Sequence, residues 1–326
     1  MLRQFSRISI FIQLIAVIIV ALVLFMPAFL NPLPSPAIPD KHSLYSFFSA
    51  LVGNSPLINA VLAMGIIGFL AFFLYAILLS HDLHPKESLL PVLFYFLLAA
   101  SITEAVSIGP ALLASLFLMI SLFLIIRMHG LNQPFKQVFS ASFCVSIAAI
   151  FYPPAVNFML FIWLSLLTYR IASWREWIIS IIGAIVPLLY LIVYFYWKGR
   201  LPDLFYNFNE IYASPMTGFP KFRLWQFIFL CFTGFALLLA LFRQLIVIQD
   251  RLISLRRKTW IFIDFMIVAS LSALLAGHDL PGHIAIIAIP GAFFLSNSVT
   301  GKKTTLLYEL LSALLIILLV LARLSG

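Results

Sequence analysis

Charge is what this sequence has least of. Only 10% of its 326 residues are Asp, Glu, Lys or Arg, while 63% are hydrophobic. A soluble domain carries roughly 25% charged residues. So large a shortage leaves too little polar surface to face water on every side, and lipid must solvate most of the exterior. In lipid each backbone N–H and C=O needs a partner within its own segment or a closed sheet, so only helices and barrels cross a membrane. Barrel strands alternate in polarity. The apolar runs here do not alternate, as in LLASLFLMISLFLII at 112–126, which excludes a barrel. Cysteine is nearly absent too. Cys144 and Cys231 each lie inside an apolar run, with no paired-cysteine metal motif, and are expected as packing thiols. Acids at membrane depth are also scarce. Asp264 lies about four residues into one apolar segment and is expected to pair with Lys258 or Arg257 just before it. A proton or ion relay needs several such groups, so an ion-coupled transporter is disfavoured.

What remains is a succession of apolar segments. The expected fold class is all-α: a polytopic transmembrane helical bundle of about eleven spans (10–12), with 1–326 as one transmembrane domain. The segments are 8–26, 61–79, 89–102, 111–126, 138–152, 155–169, 178–197, 224–242, 260–275, 284–295 and 306–321. Arg3 and Arg7 precede the first, and no small-residue cleavage site follows it, so it reads as a retained helix. Two longer polar stretches interrupt the series, about 27–59 and 198–223. With the N-terminus in the cytoplasm, fourteen of the 20 Lys and Arg fall on the inner side and six on the outer. That bias follows the positive-inside rule. It places both polar stretches outside and assigns the net charge of +9 to basic inner loops, without nucleic acid as a partner. The expected location is a bacterial inner (cytoplasmic) membrane, crossed many times, with membrane lipids as neighbours.

Candidate chemistry then gathers on the outer side. Asp40, Glu104, Asp203, Glu210 and Asp279 fall there, with His42, His278 and His283. Carboxylates and histidines at one membrane face are the material for general-base work and for holding a cation near a phosphate. The plainer alternative is that polar residues collect in loops of any membrane protein. His278, Asp279 and His283 form the densest group and offer imidazole and carboxylate ligands to a divalent cation. They lack the helical His-x-x-x-His spacing of a zinc enzyme, and Gly277, Pro281 and Gly282 around them mark a tight turn. Stretch 198–223 mixes Phe205, Tyr206, Phe208, Tyr212, Phe219 and Phe222 with Lys198, Arg200, Lys221 and Arg223. That composition suits an interfacial segment, or cations that hold a lipid phosphate beside rings that contact the chain.

This layout resembles the integral-membrane GT-C glycosyltransferases: a cytoplasmic N-terminus, one helix, an outer loop with an acid, then a tight hairpin. Asp40 is the acid of the first outer loop, and Thr103–Pro110 followed by the apolar run to Arg127 forms the hairpin. The resemblance implies a polyprenyl-phosphate-linked sugar as donor and Asp40 as base. Glu104 and Glu210, with the His278–Asp279 turn, would position an acceptor or a cation. Arg200, Lys221 and Arg223, with His42, would bind the lipid phosphate. Many such enzymes carry a paired acid where this chain has Asp40-Lys41-His42. Residues 151–190 also resemble a group of uncharacterised bacterial polytopic membrane proteins, a likeness that supplies no activity. The second expectation is a non-enzymatic scaffold or assembly subunit with membrane-protein partners in an envelope complex. A transporter comes third and would require an internal repeat or interrupted helices at mid-depth.

Overall fold

The computed structural model describes residues 8–30, 55–101, 108–131, 133–171, 173–199, 201–202, 224–250, 252–274, 280–300 and 306–324. Among them there is no strand. Eleven α-helices account for nearly all of the described chain, and each overlaps one expected span. They are α1 (Ile10–Leu30), α2 (Pro56–Ser80), α3 (Leu90–Ala99), α4 (Pro110–Arg127), α5 (Phe135–Phe151), α6 (Phe158–Thr168), α7 (Trp174–Trp197), α8 (Leu224–Val247), α9 (Ile253–Ala273), α10 (Leu280–Thr300) and α11 (Leu306–Leu324). Six of these, α1, α2, α4, α7, α8 and α10, are long and apolar enough to cross a membrane. The chain is a multi-pass membrane protein by that measure.

Helix ends follow local chemistry. Proline stands at the first positions of α2, α3 and α4, where its missing N–H has no partner to lose. α2 and α6 end alike. Asp82 (φ 53°) and Arg170 (φ 60°) adopt the left-handed conformation just past each helix. Leu83 N–H then bonds Leu78 C=O, and Ile171 N–H bonds Leu166 C=O, both at 2.9 Å. These are Schellman ends, which return the last carbonyls to the chain. Several boundaries differ from the sequence expectation by a few residues, and two of the differences matter here. α1 continues past Pro27 to Leu30, because a proline near a helix C-terminus breaks only one ladder bond. α9 begins at Ile253, so Arg256, Arg257 and Lys258 ride on its first two turns and not on a loop.

The core is built around the shortest helix. All ten residues of α3 are buried. At 1.5 Å per residue it is about 15 Å long, half of the roughly 30 Å of a hydrocarbon core. α10, buried along nearly its whole length, lies against it and also contacts α4, α8, α9 and α11. Gly291 makes this approach close: a Cβ there would sit 3.0 Å from Leu98 Cδ1 and 3.2 Å from Leu237 Cδ2. The phenyl rings of Phe262 and Phe293 stack at 4.2 Å between α9 and α10. α1, α7, α8 and α11 form the rim. α7 turns Ile178, Ile181, Ile182, Ile185 and Leu189 outward. A helical stripe of exposed aliphatics is explained by lipid contact.

Alternate helix ends meet at two poles. At one, Gln13 donates to Glu87 C=O and accepts from Leu89 N–H, both at 2.8 Å, tying α1 to the segment before α3. Asn297 lies 2.9 Å from His84, and Arg243 donates to Ser298 C=O while its guanidinium lies 4.5 Å from the Tyr308 ring. This is called the basic pole below. At the other, Ser272 donates to Pro154 C=O at 2.6 Å and Tyr152 lies 3.0 Å from His283. It is called the loop pole, since residues 31–54 and 203–223 attach there.

α7 docks on α5 through a small-residue seam. A Cβ on Gly183 would fall 2.6 Å from Phe139 C=O and 3.1 Å from Ser142 Cβ. Neither atom yields easily, since one is backbone. Gly183→Ala is therefore expected to lower stability by about 1–3 kcal/mol, the ordinary cost of overpacking. Gly65→Ala, with nothing within 4 Å of the new methyl, is expected to be neutral or stabilising by up to about 1 kcal/mol. Thermal melts of both purified variants in one detergent check the contrast.

Candidate functional site

The densest polar cluster among the described residues lies at the basic pole, where three helices end against the start of a fourth. His81 caps the C-terminus of α2, Arg127 and His129 flank that of α4, and Tyr169 caps that of α6. Arg257 and Lys258 come from the second turn of α9. Lys258 Nζ lies 3.4 Å from His81 Nδ1. The His129 and Tyr169 rings pack with centroids 5.3 Å apart. The Schellman turns described above fix where His81 and Tyr169 leave their helices.

Asp264 lies about two turns further along α9 and is 8% exposed. It was expected to pair with Lys258 or Arg257. Instead its Oδ2 accepts from Thr168 Oγ1 at 2.8 Å. Lys258 is turned to His81 on the neighbouring helix end, and two helical turns separate Arg257 from the carboxylate. No ion pair between described residues involves Arg127, Arg257 or Lys258; Lys86 and Asp82 pair at 4.0 Å in the open.

The electrostatics at this pole follow from burial and from cations. His81 titrates below its ordinary value, first because it is partly buried and then because of Lys258 and Arg127, with Asp82 opposing. His129 is lowered for the same first reason, and then by Lys258 and Arg257. The Tyr169 phenol is raised by burial; Arg257 acts against this and Asp264 with it. The Tyr169 hydroxyl is buried without a hydrogen-bond partner, and so is Nε2 of His81.

Of the sequence-derived candidates, nearly all fall on residues the structure does not describe. Asp40, His42, Glu104, Arg200, Glu210, Lys221, Arg223, His278 and Asp279 lie outside the described residues. His283 alone is described. It is fully buried on α10, with Nε2 2.9 Å from Ala269 C=O and Nδ1 3.0 Å from Tyr152 Oη. A carbonyl only accepts, so Nε2 carries the proton and Tyr152 donates to Nδ1. Both ring nitrogens are thus engaged in joining α9, α10 and the end of α5. Among the described residues no three His, Cys, Asp or Glu gather to hold a metal ion.

Beside this pole an apolar groove of about 200 Å³ opens between α5, α6 and α7, lined by Val145, Ala149, Pro153, Val156, Met159 and Leu188 among others. Its one hydroxyl, Ser146, donates to Ala184 C=O at 2.6 Å. The end of α7 above it carries exposed Tyr190, Tyr194, Tyr196 and Trp197, followed by Lys198, whose ammonium lies 6.0 Å from the Tyr194 ring. Aromatic rings and a lysine at a helix end mark headgroup depth.

Comparison with family models, curated proteins and solved structures returned no match to the chain. The structure therefore has to speak through its own residues. Sequence reasoning passed over His81, His129 and Tyr169, and also Gln13 and Asn297. Gln13 carried a signal: it is a lone amide in an apolar run, where an amide needs a partner.

Neutral histidines at the basic pole have a pH consequence. In the unfolded chain both titrate near 6.5, and in the fold both titrate lower. As pH falls through that value, the unfolded chain takes up protons that the fold refuses. Stability contributed by these groups is thus present above 6.5 and lost between 6.5 and the folded values. Melting temperature is expected to decline on acidification from about pH 7.5 to about pH 5.5, and a His81→Gln/His129→Gln variant to flatten that decline.

Proposed function

We propose that this multi-pass membrane protein is a glycosyltransferase with a GT-C-like layout. It sits in a bacterial inner membrane and acts at its loop pole, which faces outward. The donor is a sugar linked to a polyprenyl phosphate. The observation that supports this reading is topological. The helix ends that border the segments containing Asp40, Glu210 and His278 emerge at one pole. Below the end of α7 the groove between α5 and α7 would offer an apolar bed for the donor's isoprenoid chain, with Lys198 and the aromatic rings beside it at headgroup depth. On this reading all eleven helices belong to one transmembrane unit, with the short α3 and α6 shielded by their neighbours.

The chemistry is group transfer. Asp40 takes the proton of an acceptor hydroxyl as that oxygen attacks the anomeric carbon of the donor. The bond from that carbon to the phosphate oxygen breaks, and the polyprenyl phosphate leaves with the electron pair. Arg200, Lys221 and Arg223, with His42, hold the charge that develops on the phosphate. Glu104 and Glu210 orient the acceptor. A divalent cation at His278 and Asp279 would assist the leaving phosphate.

The test is sugar transfer from polyprenyl-phosphate hexoses in membranes that contain the native protein or Asp40→Asn at equal abundance. Loss of a general base costs about a hundredfold or more. A drop of that size is expected. Transfer undiminished in Asp40→Asn removes the catalytic reading and leaves a scaffold role.

A further inference from the structure

We propose a second site, on the opposite face of the protein: the basic pole binds a phosphate-class anion between Arg127, Arg257, Lys258, His81 and the hydroxyl of Tyr169. It is independent of the transfer reaction. The argument begins with charge. Arg257 and Lys258 are half-buried on adjacent positions of α9; Lys258 meets His81 at the end of α2, and Arg257 is close enough to act on the charge of His129 and Tyr169 past the ends of α4 and α6. Arg127 is close enough to act on the charge of His81. None of the three permanent cations has an ion-pair partner among the described residues. The two nearby acids are engaged elsewhere, Asp264 with Thr168 and Asp82 with Lys86.

Arg127 closes the last turn of α4, where a cation is expected, but helix termini do not account for Arg257 and Lys258. The C-terminus of a helix attracts positive charge through its last carbonyls. At α2 and α6 those carbonyls are already bonded by Asp82 and Leu83 and by Arg170 and Ile171. Nor does the positive-inside tendency account for these two. It is served equally by Arg127, Arg256 and Lys136, which are exposed on the same face.

The second observation is that two of the nine buried side-chain atoms without a hydrogen-bond partner among the described residues, on Tyr169 and His81, lie beside these cations. Tyr169 is only 7% exposed, its hydroxyl has no partner, and its ring is held by His129. His81 Nε2 is buried and unpartnered as well. A buried donor without an acceptor is rare in a folded protein, and one explanation is an unseen ion. Only an acceptor-rich anion would satisfy a phenol, a guanidinium, an ammonium and an imidazole together. Phosphate has enough oxygens to accept from all of them, and arginine's fork matches two at once. The pole lies at headgroup depth, so the phosphate has two sources: an inner-leaflet phospholipid headgroup or a soluble phosphate.

The experiment uses the full-length protein in a neutral detergent. Melting temperature is followed during titration with sodium phosphate and, separately, with dihexanoyl phosphatidic acid, at constant ionic strength set by sodium chloride. A saturable rise with either probe is expected for the native chain. A rise with both points to soluble phosphate, and a rise with the lipid alone to a headgroup. The Arg257→Gln/Lys258→Gln variant is expected to weaken the midpoint at least tenfold, and Tyr169→Phe several-fold. Arg256→Gln, on the same helix but exposed, is expected to leave it unchanged. No rise with either probe, or equal loss in Arg256→Gln and the double variant, overturns the site. Should the double variant fail to fold, Tyr169→Phe decides: an unchanged midpoint there overturns the proposal as well.

Discussion

Gly291 on α10 receives Leu98 of α3 on one side and Leu237 of α8 on the other, and the bundle depends on that contact. α3 is too short to cross a bilayer and carries no polar side chain other than Tyr95, whose hydroxyl reaches Ala285 C=O at 3.3 Å. Its open ends would be intolerable in lipid, where water cannot pair the last N–H and C=O groups. Burial behind α1, α2 and α10 solves this. α10 in turn must be covered along its whole length, and α4, α8, α9 and α11 provide the cover. The outermost helices, α1 and α7, have only one or two neighbours each and leave the rest of their surface to lipid.

That arrangement forces polar chemistry to the ends. Most buried hydroxyls within helices bond back to their own turn, as Ser142 does to Val138 C=O and Ser165 to Phe161 C=O, while Ser146 crosses from α5 to Ala184 C=O of α7. Hydrogen bonds between helices cluster at the poles: Gln13 with Glu87 and Leu89, His84 with Asn297, Thr168 with Asp264, Tyr152 with His283. The two poles differ in kind. One brings cations and unpartnered donors to converging helix ends. The other joins its helices through a neutral histidine and opens beside it an apolar groove.

Much of the fold was legible in the sequence. Apolar runs ended by Pro, Gly or charge locate a helix whatever it packs against, so all eleven helices overlap expected segments. Centrality was not legible, because Leu buried in protein and Leu facing lipid read alike. Nothing in LPVLFYFLLA says that α3 lies at the core while the similar run of α7 lies at the rim. Candidate residues followed the same divide. His283 stood out as one of three polar residues near a turn, yet its ring joins three elements of the bundle. Tyr169 and His81 gave no signal because their significance lies in what they meet across helix ends. The basic residues at 256–258 read as loop charges, and only the start of α9 at Ile253 turns Arg257 and Lys258 toward a common cleft.

The account stands on the two poles lying on opposite sides of one membrane, basic pole inward. The direct measurement is labelling of single cysteines by a membrane-impermeant maleimide in intact cells, with Cys144 and Cys231 replaced by alanine. Ser214→Cys, in stretch 198–223, is expected to label from outside. Gln133→Cys, between α4 and α5, is expected to label only after the membrane is opened. Labelling of Gln133→Cys in intact cells, with Ser214→Cys protected, would contradict the account.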